Sequence, residues 1–360
     1  MKIAVILGTR PEIIKMSPII RELEKESITY FILHTNQHYS YHMSEIFFRQ
    51  LDLPEPKYNL RVGSGTHAEE TGKMLIGIEK VLRNENPDLV LVQGDTNSAL
   101  AGALSAAKLT IEVGHVEAGL RSYDRQMPEE INRTLIDHLS AYLFAPTNKA
   151  KENLLREGIR EDSIFVTGNT IVDAVYQNLN LARNCNIIEK LEINSDEYFL
   201  LTLHRQENVD RELRLRKIFR GLELIIKEFD YPIIYPIHPR AYKMLKRFNI
   251  KINDNIHLIK PLDYLSFLKL ESNAKLILTD SGGVQEEACI LKVPCVTLRY
   301  NTERPETVEV GANIIAGVEP NSIVDCVRIM INKDRNWVNP FGDGKARIKI
   351  ISIIKNLLNL

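Results

Sequence analysis

No stretch of this chain stays apolar long enough to cross a bilayer. The opening run, Met1–Lys2–Ile3–Ala4–Val5–Ile6–Leu7, stops at Gly8 and gives way to Arg10–Pro11–Glu12. It is too short for the core of a signal peptide and reads as a first strand. An excess of one charge is also missing. Lys and Arg number 46 against 47 Asp and Glu, a formal net charge of −1, with no long run of either sign. That makes nucleic acid and anionic membrane surfaces poor candidates for main partners. Only four cysteines occur, Cys185, Cys289, Cys295 and Cys326, and none forms a Cys-x-x-Cys pair. Cys289 falls in an expected helix and Cys295 in the next strand, so buried, reduced thiols in a cytoplasmic chain are expected. There is no G-x-G-x-x-G after the first strand, no Walker A sequence and no H-E-x-x-H, so neither a nicotinamide dinucleotide nor a metal is expected. His34, His38 and His42 have the spacing of a helix face, but His34 belongs to an expected strand and Asn36 marks a turn. Asn132–Arg133–Thr134 matches a glycosylation triplet yet lies inside an expected helix. No internal repeat and no low-complexity tract appears.

What is present is an ordinary globular composition, 44% hydrophobic and 26% charged over 360 residues. That length exceeds what one core usually serves, so two domains are expected. Short apolar runs alternate with amphipathic segments. Strands are expected over residues 2–7, 29–34, 88–93, 111–116 and 141–145, and helices near 13–25, 41–51, 67–85, 97–108 and 129–139. The pattern restarts after residue 197, with strands over 198–203, 232–237, 256–259, 275–279 and 294–298. Helices follow near 211–229, 240–248, 263–271, 283–291 and 304–310. Such alternation predicts an α/β fold of two doubly wound parallel-sheet, Rossmann-like domains facing each other across a cleft. The expected boundaries are 1–170 for the first domain, 171–197 for a connecting helix and polar linker, and 198–344 for the second domain. A final helix over 345–360, with Ile348, Ile351, Ile354, Leu357 and Leu358 at helical spacing, is expected to pack back on the first domain.

The chemistry collects at strand ends. After the first strand comes Gly8–Thr9–Arg10–Pro11–Glu12, with Lys15 a turn later. Later strands lead to Gln93–Gly94–Asp95–Thr96, to His115–Val116–Glu117–Ala118–Gly119–Leu120–Arg121, to His204–Arg205 and to His238–Pro239–Arg240. The most telling turn is Leu276–Ile277–Leu278–Thr279–Asp280–Ser281–Gly282–Gly283. There Ser281, Gly282 and Gly283 would put bare N–H groups at a helix start, a site for phosphate. Glu287, further along that helix, can accept hydrogen bonds from ribose hydroxyls. Glycines after a strand also serve as simple turns. Carboxylates from the first half, Asp95, Glu117 and the Glu129–Glu130 pair, suit proton transfer. Arg10, Lys15, His204, Arg205, His238 and Arg304 suit a leaving group that gains negative charge. Each has a plainer alternative. Asp95 could cap the helix that starts near Thr96, one of Glu129 and Glu130 could be a first-turn charge, and His115 could be a core histidine with satisfied partners. Glu117 in an apolar run is odd for a core position, which favours function.

These segments, with Pro128–Glu129–Glu130–Ile131–Asn132–Arg133, Gly168–Asn169–Thr170 and Thr302–Glu303–Arg304–Pro305–Glu306, resemble the non-hydrolysing UDP-N-acetylglucosamine 2-epimerases over essentially the whole chain. The resemblance implies a glycosyltransferase-B-like fold, a UDP-sugar substrate, inversion at C2, no added cofactor and a homodimer. It implies that Asp95, Glu117 and Glu129 are acid/base groups and that His204 stands beside the diphosphate. Arg10, Lys15, Ser281, Gly282, Gly283, Glu287 and Arg304 would hold UDP and its ribose, and Leu262 and Phe267 would meet the uracil; their place at strand ends adds Arg205 and His238 to the expected binding residues. Many bacterial members take a second UDP-sugar as activator. The segment after Gln37–His38 and the run His204–Arg205–Gln206–Glu207 depart from their pattern, so that property is not carried over. A hydrolysing epimerase, a retaining glycosyltransferase on the same scaffold and a UDP-sugar sensor without chemistry stay open on the residues alone.

Overall fold

The computed structural model describes residues 2–36 and 47–357. His38, His42, the Gln37–His38 pair, Leu358 and most of the helix expected near 41–51 lie outside them. The chain divides into two compact units, Met1–Gln177 with Phe341–Leu360, and Asn178–Pro340. The boundaries expected from sequence stood at 170, 197 and 344.

In the first unit, seven parallel strands form one sheet: β1 (Lys2–Leu7), β2 (Thr29–His34), β3 (Tyr58–Asn59), β4 (Leu89–Gln93), β5 (Glu112–Val116), β6 (Tyr142–Ala145) and β7 (Ile164–Val166), in the order β3-β2-β1-β4-β5-β6-β7. In the second unit, β8 (Phe199–Thr202), β9 (Ile233–Pro236), β10 (Ile256–Ile259), β11 (Leu276–Thr279), β12 (Cys295–Thr297) and β13 (Asn313–Ile315) run parallel in the order β10-β9-β8-β11-β12-β13. Parallel neighbours need crossover connections, and helices supply them, so both sheet faces are covered and the strands read as continuous apolar runs. Alternation along β8 shows this directly. Phe199 and Leu201 pack into one cluster with Ile218, Leu222 and Ile225 of the helix Glu212–Phe229. Tyr198 and Leu200 face the opposite cluster with Ile277 and Ala288.

The strand order reverses between β1 and β4 and again between β8 and β11. In doubly wound sheets these switch points leave a crevice beyond the carboxyl ends of the strands. The residues after β1, β4, β8 and β11 are those singled out above. The helix expected from residue 13 begins earlier, at Arg10, because Pro11 is preset for a first helical turn. The strands β3, β7 and β13, and the helices Asn148–Arg156 and Pro320–Met330, are additions to the expected set. The last helix, Ala346–Leu357, packs on the helix Arg10–Lys25, and Arg347 pairs with Glu22 at 3.0 Å and Asp173 at 2.8 Å. Among the described residues, no helix is long and apolar enough to cross a membrane. Cys289, Cys295 and Cys326 are buried and Cys185 is half-buried, all as free thiols, and burial pushes the Cys289 thiol up to about 12.

Candidate active site

The turn after β1 is closed around one carboxylate. Glu12 Oε2 accepts from the N–H groups of Gly8 (3.1 Å) and Thr9 (2.7 Å), and Oε1 accepts from the Thr96 hydroxyl at 2.8 Å. Thr96 in turn caps the helix Asn97–Lys108 by accepting from the Ala99 N–H at 3.0 Å. Glu12 therefore ties the turn after β1 to the turn after β4. Gly8 must be glycine, since a Cβ there would stand 1.8 Å from Ser98 Oγ. Burial pushes the Glu12 carboxyl up to about 7, against the hydrogen bonds from Thr9, Thr96 and Gly8 that lower it. A folded value above the unfolded one means that the native state holds the proton more tightly. The associated stability is complete below the ordinary value of 4.5 and is lost as pH rises through about 7. Glu12→Gln keeps a neutral side chain of the same shape. The decline in urea midpoint between pH 4.5 and 7 is expected to flatten in that variant; a wild-type slope would mean that Glu12 does not titrate there.

Glu117, just after β5, is the most constrained of the carboxylates. It is 7% exposed and adopts φ +71°, a left-handed conformation that costs a bulky side chain of order 1–3 kcal/mol and persists only where its surroundings impose it. Lys15 Nζ donates to both its oxygens, at 2.8 and 2.7 Å, and the Gln93 amide donates to Oε2. Lys15 is thus placed on Glu117. Asp95 does not cap a helix. Its carboxylate pairs with Arg133 and its side chain keeps 32% exposure. Asn132 holds the Asp95 carbonyl at 2.9 Å.

The helix Pro128–Leu139 separates the two neighbouring glutamates. Glu130 points inward, accepting from the N–H groups of Ser122 (3.0 Å) and Tyr123 (2.8 Å) and from Arg133 (3.1 Å). Glu129 is exposed. Arg10 is exposed as well, its guanidinium 5.6 Å from the centre of the Phe47 ring. The first unit therefore brings Asp95 and Glu117 onto two adjacent strand ends, with Lys15 reaching Glu117 from the helix Arg10–Lys25 and Glu129 on the helix whose next turn holds Asp95. Arg133, Asn132, Gln93 and Glu12 were not among the expected site residues. Arg133 and Asn132 sat in the quoted Pro128–Arg133 segment, but only pairing across the fold reveals their task.

In the second unit the buried Asp280 organises the switch point. It accepts from the N–H groups of His204 (3.1 Å) and Arg205 (3.1 Å), from Asn208 Nδ2 (3.2 Å), and faces His204 Nδ1 at 3.1 Å. Burial raises its carboxyl, but the hydrogen bond and charge of His204 and the two backbone donors outweigh it and hold the group below its ordinary value. The His204 side chain keeps 43% exposure with Nδ1 turned to Asp280, so Nε2 is its outward nitrogen.

One expectation needs correcting at the glycine turn. The Ser281 N–H is not bare, because it donates to Thr279 Oγ1 at 2.9 Å. The first turn of the helix Gly282–Leu291 is formed by Gly282 and Gly283, which carry no Cβ. Glu303 also enters. Its carboxylate is buried, pairs with Arg205 at 2.7 Å and Arg299 at 2.7 Å, and would lie 2.6 Å from a Cβ at Gly282. Burial raises it, yet Arg205, Arg304 and Arg299 hold it at about 2. Arg205 is thus engaged by Glu303, and Arg304 by Glu286 at 2.7 Å. Glu287 is 7% exposed on the same helix as the turn. Leu262 and Phe267 are half-buried against the cluster that contains Val284 and Ala288. His238 is exposed and caps the helix Pro239–Arg247, accepting from the Arg240 N–H at 3.2 Å. No group of His, Cys, Asp and Glu suited to a metal occurs among the described residues.

A family model described as UDP-N-acetylglucosamine 2-epimerase matches residues 21–355. The chain belongs to the UDP-N-acetylglucosamine 2-epimerase family. Among its relatives, the UDP-N-acetylglucosamine 2-epimerase of Methanocaldococcus jannaschii is 63% identical over 361 residues, covering 98% of this chain and 99% of the relative. The UDP-2,3-diacetamido-2,3-dideoxy-D-glucuronate 2-epimerase of Pseudomonas aeruginosa is 41% identical over 360 residues, with 99% and 100% covered. The crystal structure of the M. jannaschii epimerase with UDP-GlcNAc and UDP superposes with a TM-score of 0.92, covering 99% of this chain and 100% of that one. A glycosyltransferase from Rickettsia africae, 15% identical with a TM-score of 0.58, shares the fold alone. The two parallel-sheet domains of this epimerase family member are thus of the glycosyltransferase-B type.

Proposed function

We propose that this chain interconverts UDP-N-acetylglucosamine and UDP-N-acetylmannosamine by eliminating and re-adding UDP. The observation that carries this reading is the pair of separately held carboxylates, Asp95 and Glu117, at the two strand ends beside one switch point, in a chain whose relatives are 2-epimerases. The C2 proton of the sugar is not acidic, because no carbonyl is adjacent to it. Elimination avoids the difficulty. The C1–O bond to UDP breaks, the electron pair leaves with UDP, and positive character at C1 makes the C2 proton removable by a carboxylate. A C1=C2 double bond forms, giving a bound 2-acetamidoglucal. A second acid then protonates C2 from the other face, and UDP adds back at C1. Two faces require two proton-transfer groups, and Asp95, Glu117 and Glu129 are assigned to them. Holding UDP is assigned to Arg10, His204, the Gly282–Gly283 turn and Glu287, with Ser281, Arg205, His238 and Arg304 supporting it and Leu262 and Phe267 at the base. No cofactor takes part. The product would supply a sugar donor for surface polysaccharide or glycan synthesis. A cytoplasmic homodimer is part of the same reading.

Proton NMR of UDP-N-acetylglucosamine incubated with the enzyme in D2O tests this. Deuterium at C2 in intact UDP-sugar is expected. Free N-acetylmannosamine would mean hydrolysis, and no exchange without an acceptor would point to sugar transfer.

Glu287→Ala is expected to weaken UDP binding by about 5- to 10-fold, the worth of a lost hydrogen bond of roughly 1 kcal/mol. Calorimetry with UDP measures it directly. Unchanged affinity would place Glu287 away from the ribose.

A further inference from the structure

His115 lies on β5 with no exposure to solvent, and both ring nitrogens are engaged. Nδ1 stands 2.6 Å from Asp137 Oδ1, and Nε2 stands 2.8 Å from the Gly94 carbonyl oxygen. A carbonyl only accepts. Asp137 only accepts as well, because its other oxygen already receives Arg121 Nη1 at 2.7 Å and the Gly119 N–H at 3.2 Å, donors that hold it as a carboxylate. A neutral imidazole carries one N–H. It would turn a lone pair toward either the Gly94 carbonyl or the Asp137 carboxylate, a buried mismatch at hydrogen-bond distance. A ring with protons on both nitrogens satisfies both acceptors. The surrounding charges balance it: Asp137 is negative, Arg121 positive, and Glu157 accepts from Arg121 at 2.7 and 2.6 Å, with His138 3.7 Å beyond.

The two groups that this cluster grips are not random. Gly94, at φ +71°, immediately precedes Asp95, and Gly119, at φ +83°, follows Glu117 by two residues. A side chain at Gly119 is excluded, since its Cβ would lie 2.4 Å from the Ala150 carbonyl oxygen. Asp137 thus holds the turn after β5 directly and the turn after β4 through His115.

We propose that His115 carries a proton on each ring nitrogen and positions Asp95 through the Gly94 carbonyl. It is a positioning residue, and its consequence for turnover rests on the assignment of Asp95 to proton transfer. The charge is read by 15N NMR of the full chain with 15N-labelled histidine at pH 8, the signal being assigned by its loss in His115→Gln. Two protonated ring nitrogens are expected, and a single N–H would overturn the proposal. Asp137→Asn should cost the ring one of those protons if the carboxylate sustains the charge. For turnover, His115→Gln is measured beside Asp95→Asn. The expected result is kcat lower by about 10- to 100-fold, the scale of a misplaced catalytic group, with KM within about twofold and UDP stoichiometry unchanged. A merely structural role would instead lower the stoichiometry of folded, UDP-binding protein. Wild-type kcat in His115→Gln beside an inactive Asp95→Asn overturns the positioning role. Wild-type kcat in Asp95→Asn would remove the proton-transfer assignment instead, and the NMR result still decides the charge on His115.

Discussion

Asp95→Asn and Glu117→Gln are each expected to lower turnover by at least about 100-fold, the scale of a positioned acid or base. Both substitutions keep shape and remove the proton acceptor. They differ in what they leave behind. Asp95→Asn frees Arg133 of one partner, but Glu130 remains 3.1 Å away to receive its charge. Glu117→Gln leaves the Lys15 ammonium, 8% exposed, without its carboxylate. Breaking a buried pair by removing one member costs roughly 3–5 kcal/mol, so part of the loss could come from unfolding. The double variant Lys15→Met with Glu117→Gln separates the two effects. It removes the stranded charge and should restore thermal stability without restoring turnover. UDP affinity, measured by calorimetry, should change far less than kcat in every variant, because the assigned UDP-holding groups other than Arg10 lie in the second unit. Near-wild-type turnover in Asp95→Asn or Glu117→Gln would take that residue out of proton transfer.

The elements that carry these residues were legible because burial on both sheet faces leaves a plain signature. Leu89–Val92 and Leu276–Leu278 are apolar at every position, and a glycine turn closes each, so both strand and chemistry could be located from the sequence. The strands β7 and β13 could not. Ile164–Val166 and Asn313–Ile315 are three residues each, too short for a period-2 pattern, and they exist because neighbours β6 and β12 offer them a paired edge. The same distinction runs through the site. Residue types at strand ends were readable, but partners were not. Lys15 meets Glu117 across 102 positions, Arg205 meets Glu303 across 98, and Asp95 meets Arg133 across 38. Nothing local in a helix start such as Arg10–Lys15 says whether its lysine will meet a phosphate or a carboxylate. Of the Glu129–Glu130 pair, the sequence could say only that one was a helix charge, and packing decided that Glu130 turns inward.

His204→Asn is expected to make the enzyme release UDP and 2-acetamidoglucal together, in equal amounts, during long incubations with UDP-N-acetylglucosamine. His204 is anchored by its own N–H and its Nδ1 to Asp280, which leaves Nε2 as the outward nitrogen. A protonated ring there would hold the departing diphosphate by a charge-assisted hydrogen bond worth roughly 1.5–3 kcal/mol. The other candidate for this role is Arg205, whose fork geometry suits a diphosphate better. Its guanidinium, however, is 2.7 Å from Glu303, so it must share its donors with a buried carboxylate. That raises the weight on His204. His204→Asn removes the ring nitrogen while keeping a polar side chain. UDP is then held less firmly after the C–O bond breaks and before C2 is reprotonated, so some of it escapes with the glycal. Loss of that bond corresponds to about a 10- to 150-fold change in retention, and chromatography of the reaction mixture reads it. Epimerisation by both wild type and His204→Asn with no glycal at high enzyme concentration would remove the support for this role. Free N-acetylmannosamine in place of the glycal would transfer the case to a hydrolysing mechanism.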